Sequence, residues 1–278
     1  MSITQTDKAL RFQALHHRPG AFVMPNPWDG GSACVLAGLG FEALATSSGA
    51  AAGTLGRRDG AIGRDEALAM AQAIVRATDL PVSADLENGF GDAPETVAQT
   101  IRLAAEAGLV GGSIEDFSGV AERPLYDIGH ATERIAAAAD AARSLAFPFT
   151  LTARAENYLR GQPDLDDTIR RLQAYERAGA DVLFAPGLPD LAAVRTVCAA
   201  LAKPVSFMVA IRGRSFTVAE LEAAGVRRIS LATSLYRAAM SGLVAAAREV
   251  RERGSFGDRK STRLNSSHDL ASRMPSSA

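Results

Sequence analysis

Asp85 and Glu87 stand two residues apart, directly after the apolar run Leu80-Pro81-Val82-Ser83-Ala84. In a strand this spacing puts both carboxylates on one face, where they repel each other unless something positive sits between them. Gly89 and Gly91 then allow the tight backbone of a ligand-facing loop. Hard oxygen ligands of this kind suit Mg²⁺, which takes one or two carboxylates and keeps several waters; Mn²⁺ would serve nearly as well. The same spacing also suits a solvated acidic turn.

Other polar groups follow apolar runs in the same way. Thr46-Ser47-Ser48-Gly49 closes one run, Glu115-Asp116 a second and Arg154-Ala155-Glu156-Asn157 a third. Asp59 lies in the loop Gly56-Arg57-Arg58-Asp59-Gly60, and Asn26-Pro27-Trp28-Asp29 follows the first run. Arg154 offers a fork that grips a carboxylate through two hydrogen bonds, or alternatively forms an ion pair with Glu156. Ser48 and the amides of Gly49 and Ala50 could form an anion-binding nest, and an ordinary turn fits them equally. Trp28 could contact a ligand or pack at the rim. His16, His17 and His130 show no metal spacing, and the adjacent pair His16-His17 at a helix end reads as solvated surface. No nucleophile–histidine pair has a recognisable spacing.

Positioning these groups requires a repeated scaffold. Strands are expected at Ala21–Pro25, Ala43–Thr46, Val82–Asp85, Gly111–Glu115, Phe149–Arg154, Asp181–Ala185, Val205–Val209 and Arg228–Leu231. Helices are expected at Arg64–Thr78, Pro94–Ala107, Ala131–Ala146, Leu165–Ala178, Leu188–Ala202 and Ser234–Arg253. Strands alternating with helices predict an α/β fold with a parallel sheet, and eight of them in one domain predict a (β/α)₈ barrel. Glycines at Ala37-Gly38-Leu39-Gly40, Ala107-Gly108, Ala178-Gly179 and Ala224-Gly225 repeat at the helix-to-strand joints, where glycine caps a helix end. In such a barrel the polar strand ends crowd one mouth, the C-terminal face that carries chemistry.

The totals exclude several function classes. A net charge of −1 makes no electrostatic case for nucleic acid or an anionic membrane surface. No apolar run approaches the roughly 18 residues that span a bilayer, and no signal peptide is expected. Cys34 and Cys198 are too few for a disulfide framework and point to a reducing, cytoplasmic setting. A single barrel domain is expected over residues 1–257. Residues 258–278 are rich in Ser and Arg without apolar period, and DRKSTRLNSSH back-translates onto a sequencing adapter, so a disordered, artefactual tail is expected there. On that reading the native C-terminus is missing.

Taken together, Asn26 to Asp29, Ser47-Ser48-Gly49, Gly56 to Asp59, Asp85 to Gly91, Ile114-Glu115-Asp116 and Ala153 to Glu156 resemble the isocitrate lyase/phosphoenolpyruvate mutase superfamily. Their order and spacing cover roughly residues 20 to 160. The resemblance implies a TIM barrel of that type and Mg²⁺-dependent making or breaking of C–C or P–C bonds beside a 2-oxo acid carbon. By the match, Asp85 binds the metal directly, and Asp59, Glu87 and Glu115 hold it through water. Ser48, Gly49, Ala50 and Arg154 bind the substrate carboxylate, with Trp28 and Asp85 beside it, and Arg154, Asp59 and Glu115 form the catalytic set. It also implies a homo-oligomer, dimer or tetramer, with a C-terminal helix exchanged between subunits.

Departures narrow the substrate. The Lys-(Lys or Arg)-Cys-Gly-His loop of isocitrate and methylisocitrate lyases is replaced by Phe117 to Tyr126, and the Glu that ends their sixth strand by Phe184-Ala185-Pro186-Gly187. Both changes count against a tricarboxylate. Glu87 stands where the family's metal motif has Asp, and the Asn of the phosphoenolpyruvate mutase gating loop is absent between Glu115 and His130. The expected activity is a Mg²⁺-dependent carbon–carbon lyase or decarboxylase acting on a small 2-oxo acid or 2-hydroxy diacid through a pyruvate-like enolate. The alternatives are a P–C bond enzyme, mutase or hydrolase, and a non-catalytic 2-oxo acid binding protein. Tyr126, Glu122 and water are the candidates for proton donor.

Overall fold

The computed structural model describes residues 3–209, 211 and 213–256. The tail expected over 258–278 lies outside the described residues. In chain order these form α1 (Gln5–His17), β1 (Phe22–Met24), α2 (Gly30–Gly38), β2 (Leu44–Ala45), α3 (Ser48–Thr54), α4 (Arg64–Arg76), β3 (Val82–Asp85), α5 (Pro94–Glu106) and β4 (Gly111–Glu115). There follow α6 (Ile128–Arg143), β5 (Thr150–Arg154), α7 (Leu165–Ala178), β6 (Val182–Phe184), α8 (Leu191–Ala199), β7 (Val205–Met208), α9 (Val218–Ala223), β8 (Arg228–Ser230) and α10 (Ser234–Arg253).

The strands form one parallel sheet in the order β1-β8-β7-β6-β5-β4-β3-β2. One main-chain bond, Ala45 N–H to the Pro25 carbonyl at 3.1 Å, spans the remaining gap. Asn26 reinforces it, donating to the Thr46 carbonyl and accepting from Ser230 Oγ and the Leu231 amide. The sheet is thus a nearly closed (β/α)₈ TIM barrel, as the strand count predicts.

Local chemistry sets the boundaries. Gly40, Gly108, Gly179 and Gly225 all have positive φ, from +87° to +107°, where only glycine sits without strain. Helix α8 begins at Leu191, three residues later than expected, because the Asp190 side chain caps it by accepting from Ala193 N–H at 2.8 Å. Helix α6 begins early, at Ile128, because Asp127 accepts from Gly129 N–H. The short helices α2, α3 and α9 carry too few turns to show a sequence period, and none was expected.

Helix α1 closes the N-terminal end of the barrel. His16 is buried, at 4% exposure, which corrects the expectation of a solvated histidine pair; His17 alone is exposed. The His16 ring meets Phe12 and Phe22 edge-on, with centroids 4.7 and 5.0 Å away. Its Nδ1–H donates to the Phe12 carbonyl at 2.8 Å. Burial, and then the charge of Arg228, pull its pKa down to about 3.

Strand register sets up a diagonal row. Glu115 pairs with Arg154, Arg154 with Phe184, Phe184 with Ser206, Ser206 with Arg228 and Arg228 with Phe22. Laterally paired residues share a face, so this row winds round the lumen. Glu115, Arg154 and Phe184 are the last residues of their strands, whereas Arg228 and Phe22 are the first of theirs. The row therefore descends from the mouth to the floor.

Candidate active site

At the mouth, Arg154 is the hub. Its Nη1 lies 3.1 Å from Asp85 Oδ1, and its Nη2 lies 3.2 Å from Glu115 Oε2 and 2.8 Å from Glu156 Oε1. Burial opposes its charge, but Glu156, Glu115 and Asp85 together hold the guanidinium above its ordinary pKa. Arg160 braces the same acids, 3.2 Å from Glu115 Oε1 and 3.3 Å from Glu156 Oε2. Its guanidinium lies 3.4 Å over the Phe117 ring centre. The ion pair between Arg154 and Glu156 is thus present, within a wider network.

The second oxygen of Asp85, Oδ2, accepts from Ser48 N–H at 3.3 Å. Ser48 N–H and the Arg154 guanidinium therefore converge on one carboxylate. Ser47 caps α3, and its Oγ accepts from Ala50 N–H at 3.4 Å. Ala50 is fully buried. Gly49 fits closely: a Cβ there would lie 3.0 Å from Thr233 Cγ2 and 3.2 Å from Asp59 Oδ2, so those side chains would have to give way.

The loop after β3 is left-handed at three positions, Glu87 at +49°, Gly89 at +79° and Phe90 at +61°. Non-glycine residues hold such angles only where their surroundings impose them, and these cluster at functional sites. Arg134 of α6 does the imposing. It donates to the carbonyls of Gly91 (3.0 Å), Asp92 (3.1 Å), Glu115 (3.3 Å) and Asn88, while its guanidinium lies 4.2 Å from the Tyr126 ring centre. Burial, then the charges of Asp85 and Asp59, push the Glu87 carboxyl up to about 7. Burial raises Glu115 well above the usual carboxylate range, against the pull of Arg154.

Behind the mouth, Asp116 accepts from Glu156 N–H (2.8 Å), Arg171 Nη1 (3.1 Å) and Tyr175 Oη (2.7 Å). It fixes the ends of β4 and β5 and does not face the cavity. Asp29 likewise is spent on capping α2 through Ser32 N–H at 2.7 Å.

These groups surround a cavity of about 440 Å³, lined among others by Ser48, Asp59, Asp85, Glu87, Glu115 and Arg154. Trp28 walls a small adjoining pocket with Ser48, Asp85 and Glu87, and stacks edge-on against Tyr236 at 5.5 Å. Gly49 and Ala50 do not line the cavity. Nor do Glu122, which is exposed, or Tyr126, whose hydroxyl donates to Asp92 and accepts from Asn88. Burial, then the Asp92 bond, push Tyr126 up to about 12, which makes it a poor proton donor. Arg134 and Arg160 were missed from the sequence. Arg160 had one local signal, its i+4 spacing from Glu156.

The model of the phosphoenolpyruvate phosphomutase family matches residues 12–251. The 2-methylisocitrate lyase of Escherichia coli is 31% identical over 248 residues, covering 86% of this chain and 82% of its own. A Burkholderia cenocepacia J2315 protein assigned provisionally as a lyase/mutase superposes with TM-score 0.91 at 53% identity, covering 96% of this chain and 95% of its own. A 2,3-dimethylmalate lyase superposes with TM-score 0.83 at 26% identity, over 96% and 99%. With family model, relatives and barrel in agreement, the chain belongs to the isocitrate lyase/phosphoenolpyruvate mutase superfamily.

Proposed function

We propose that the chain is a Mg²⁺-dependent carbon–carbon lyase or decarboxylase acting on a small 2-oxo acid or 2-hydroxy diacid. One observation carries the reading. Ser48 N–H and Arg154 Nη1 converge on the Asp85 carboxylate, at 3.3 and 3.1 Å, inside a cavity that Asp59, Glu87 and Glu115 also line. With Asp85 turned to a cation, the same two donors would be open to a substrate carboxylate.

The donor set fits a hard divalent cation. Burial, then the like charges of Asp85 and Asp59, lift Glu87 to about 7, and a cation would relieve the repulsive part. Among the described residues no three His, Cys, Asp or Glu side chains converge closely enough to hold an ion by direct bonds. In the proposed arrangement Asp85 would be the direct ligand, with Asp59, Glu87 and Glu115 acting through water. Bound there, Mg²⁺ would supply charge stabilisation beside the oxo-acid carbon.

The chain's own groups would do the rest. Arg154 orients the substrate carboxylate and Ser48 N–H fixes its second oxygen. Glu156 holds Arg154 in place, and Arg160 braces Glu156. Bond cleavage next to the oxo carbon would leave a pyruvate-like enolate, whose negative charge Arg154 would help to stabilise. With Tyr126 and Glu122 outside the cavity, water is the remaining proton donor of those considered.

The test is turnover followed by NMR with Mg²⁺, with and without chelator, on oxaloacetate, substituted malates, methylisocitrate and phosphonopyruvate. Chelator-sensitive pyruvate from oxaloacetate or a malate, above the metal-only rate, is expected. The family model's phosphomutase description favours a second reading, P–C bond chemistry at the same site, and turnover of phosphonopyruvate alone would establish it. Binding of 2-oxo acids without product would instead favour a sensor.

A further inference from the structure

The lumen row continues below the mouth to a cation that the proposed reaction does not use. Arg228 is 3% exposed. Its Nε–H donates to Ser206 Oγ at 3.1 Å, and its Nη1 has no partner. Among the described residues no carboxylate pairs with it. The charge that acts on it is Arg154, of the same sign, and burial followed by that repulsion pulls it to about 9, so it stays protonated at neutral pH. Phe22, beside it on β1, and His16, which is neutral there, add no negative charge. Two residues below Arg154 on the same face, Thr152 Oγ1 is also buried without a partner.

The cavity reaches this cation. Its wall runs through Met24, Ser83, Ser113, Phe184 and Met208 to Arg228. Above, three carboxylates already answer Arg154. A buried cation with an unpaired N–H, in the wall of a polar cavity, is a receptor for an anion, because burying it unanswered is strongly unfavourable. A guanidinium edge matches a carboxylate in particular.

We propose that Arg228 anchors a buried subsite for the second carboxylate of a short diacid whose first carboxylate lies at Ser48 and Arg154. The assignment rests on the 2-oxo acid reading for the position of that first carboxylate. It narrows the substrate class to diacids: a monoacid such as pyruvate would leave Arg228 unanswered.

The experiment is calorimetric titration of the full chain, with Mg²⁺, against malonate, pyruvate, formate and chloride. Wild type, Arg228→Met and Arg228→Lys are compared. Loss of a charge-assisted bond predicts malonate binding weakened about ten- to hundredfold in Arg228→Met, pyruvate binding shifted less than about threefold, and partial recovery in Arg228→Lys. Equal weakening of malonate and pyruvate, or unchanged malonate binding, would overturn the proposal. So would formate or chloride saturating the wild type at malonate's concentrations, which would mark a site for any small anion. Met matches the Arg stem and removes a buried charge, so its thermal midpoint should not fall. Arg228→Lys keeps the charge without the fork and decides the matter if Arg228→Met does not fold. Malonate has no 2-oxo group, so Arg228-dependent malonate binding supports the subsite even if the turnover panel is silent and the lyase reading fails.

Discussion

Because Arg154 serves three carboxylates at once, its replacement separates charge from shape. Arg154→Lys keeps the charge but loses the planar fork that spans Asp85, Glu115 and Glu156. On the proposed function, kcat/KM should fall at least about a hundredfold. Steady-state kinetics within about threefold of wild type would remove Arg154 from substrate binding. Asp85→Asn should abolish turnover together with its Mg²⁺ dependence, which a metal titration of the variant checks. His16 makes a separate prediction, of stability. Its pKa is about 3 when folded and about 6.5 when unfolded, so between those values the unfolded chain binds the extra proton. The contribution of His16 is therefore full above pH 6.5 and falls as pH drops toward 3, by at most about 1.4 kcal/mol per pH unit. The difference in urea midpoint between wild type and His16→Leu, measured from pH 7 to 4, should show this slope, because it cancels the opposite contribution of the raised Glu87 and Glu115 carboxyls.

The elements explain which residues could be read in advance. Asp85, Glu115 and Arg154 each end a strand, so a correct strand boundary places all three at one mouth. Arg134 could not be found that way. In Thr132-Glu133-Arg134 it looks like an ordinary charged helix residue, and its role exists only because α6 packs against the loop after β3. Arg228 looked equally plain, since Val226-Arg227-Arg228-Ile229 gives no sign of which arginine faces inward. His16 was misread because burial of a helix end depends on what that end plugs. Arg134→Met should cost about 3 kcal/mol or more, because it strands carbonyls of Asn88, Gly91, Asp92 and Glu115 together. It should also reduce turnover, as the Glu87 loop loses its brace. An unfolding free energy within about 0.5 kcal/mol of wild type would mean that the loop holds itself.

For the whole molecule, the barrel was legible because eight strands alternating with helices and four glycine joints repeat one unit, and repetition survives errors at single boundaries. Assembly was not legible in that way. Helix α10 has twenty residues, none of them buried, and it exposes Leu243, Val244 and Val250. Isolated helices are marginal in water without a packed face. We propose that a second copy of the chain covers α10. Light scattering after size exclusion should give a dimer or larger, and Leu243→Glu with Val244→Glu should yield monomer; a monomeric wild type would overturn this. The contact that seats α10 on the barrel also has an optical consequence. Trp28 is the chain's single tryptophan, and it lies between Tyr236 on one side and the Ser48–Asp85 wall on the other. Its emission is therefore an intrinsic, label-free gauge, read at one wavelength, of both helix docking and charge arriving at the mouth.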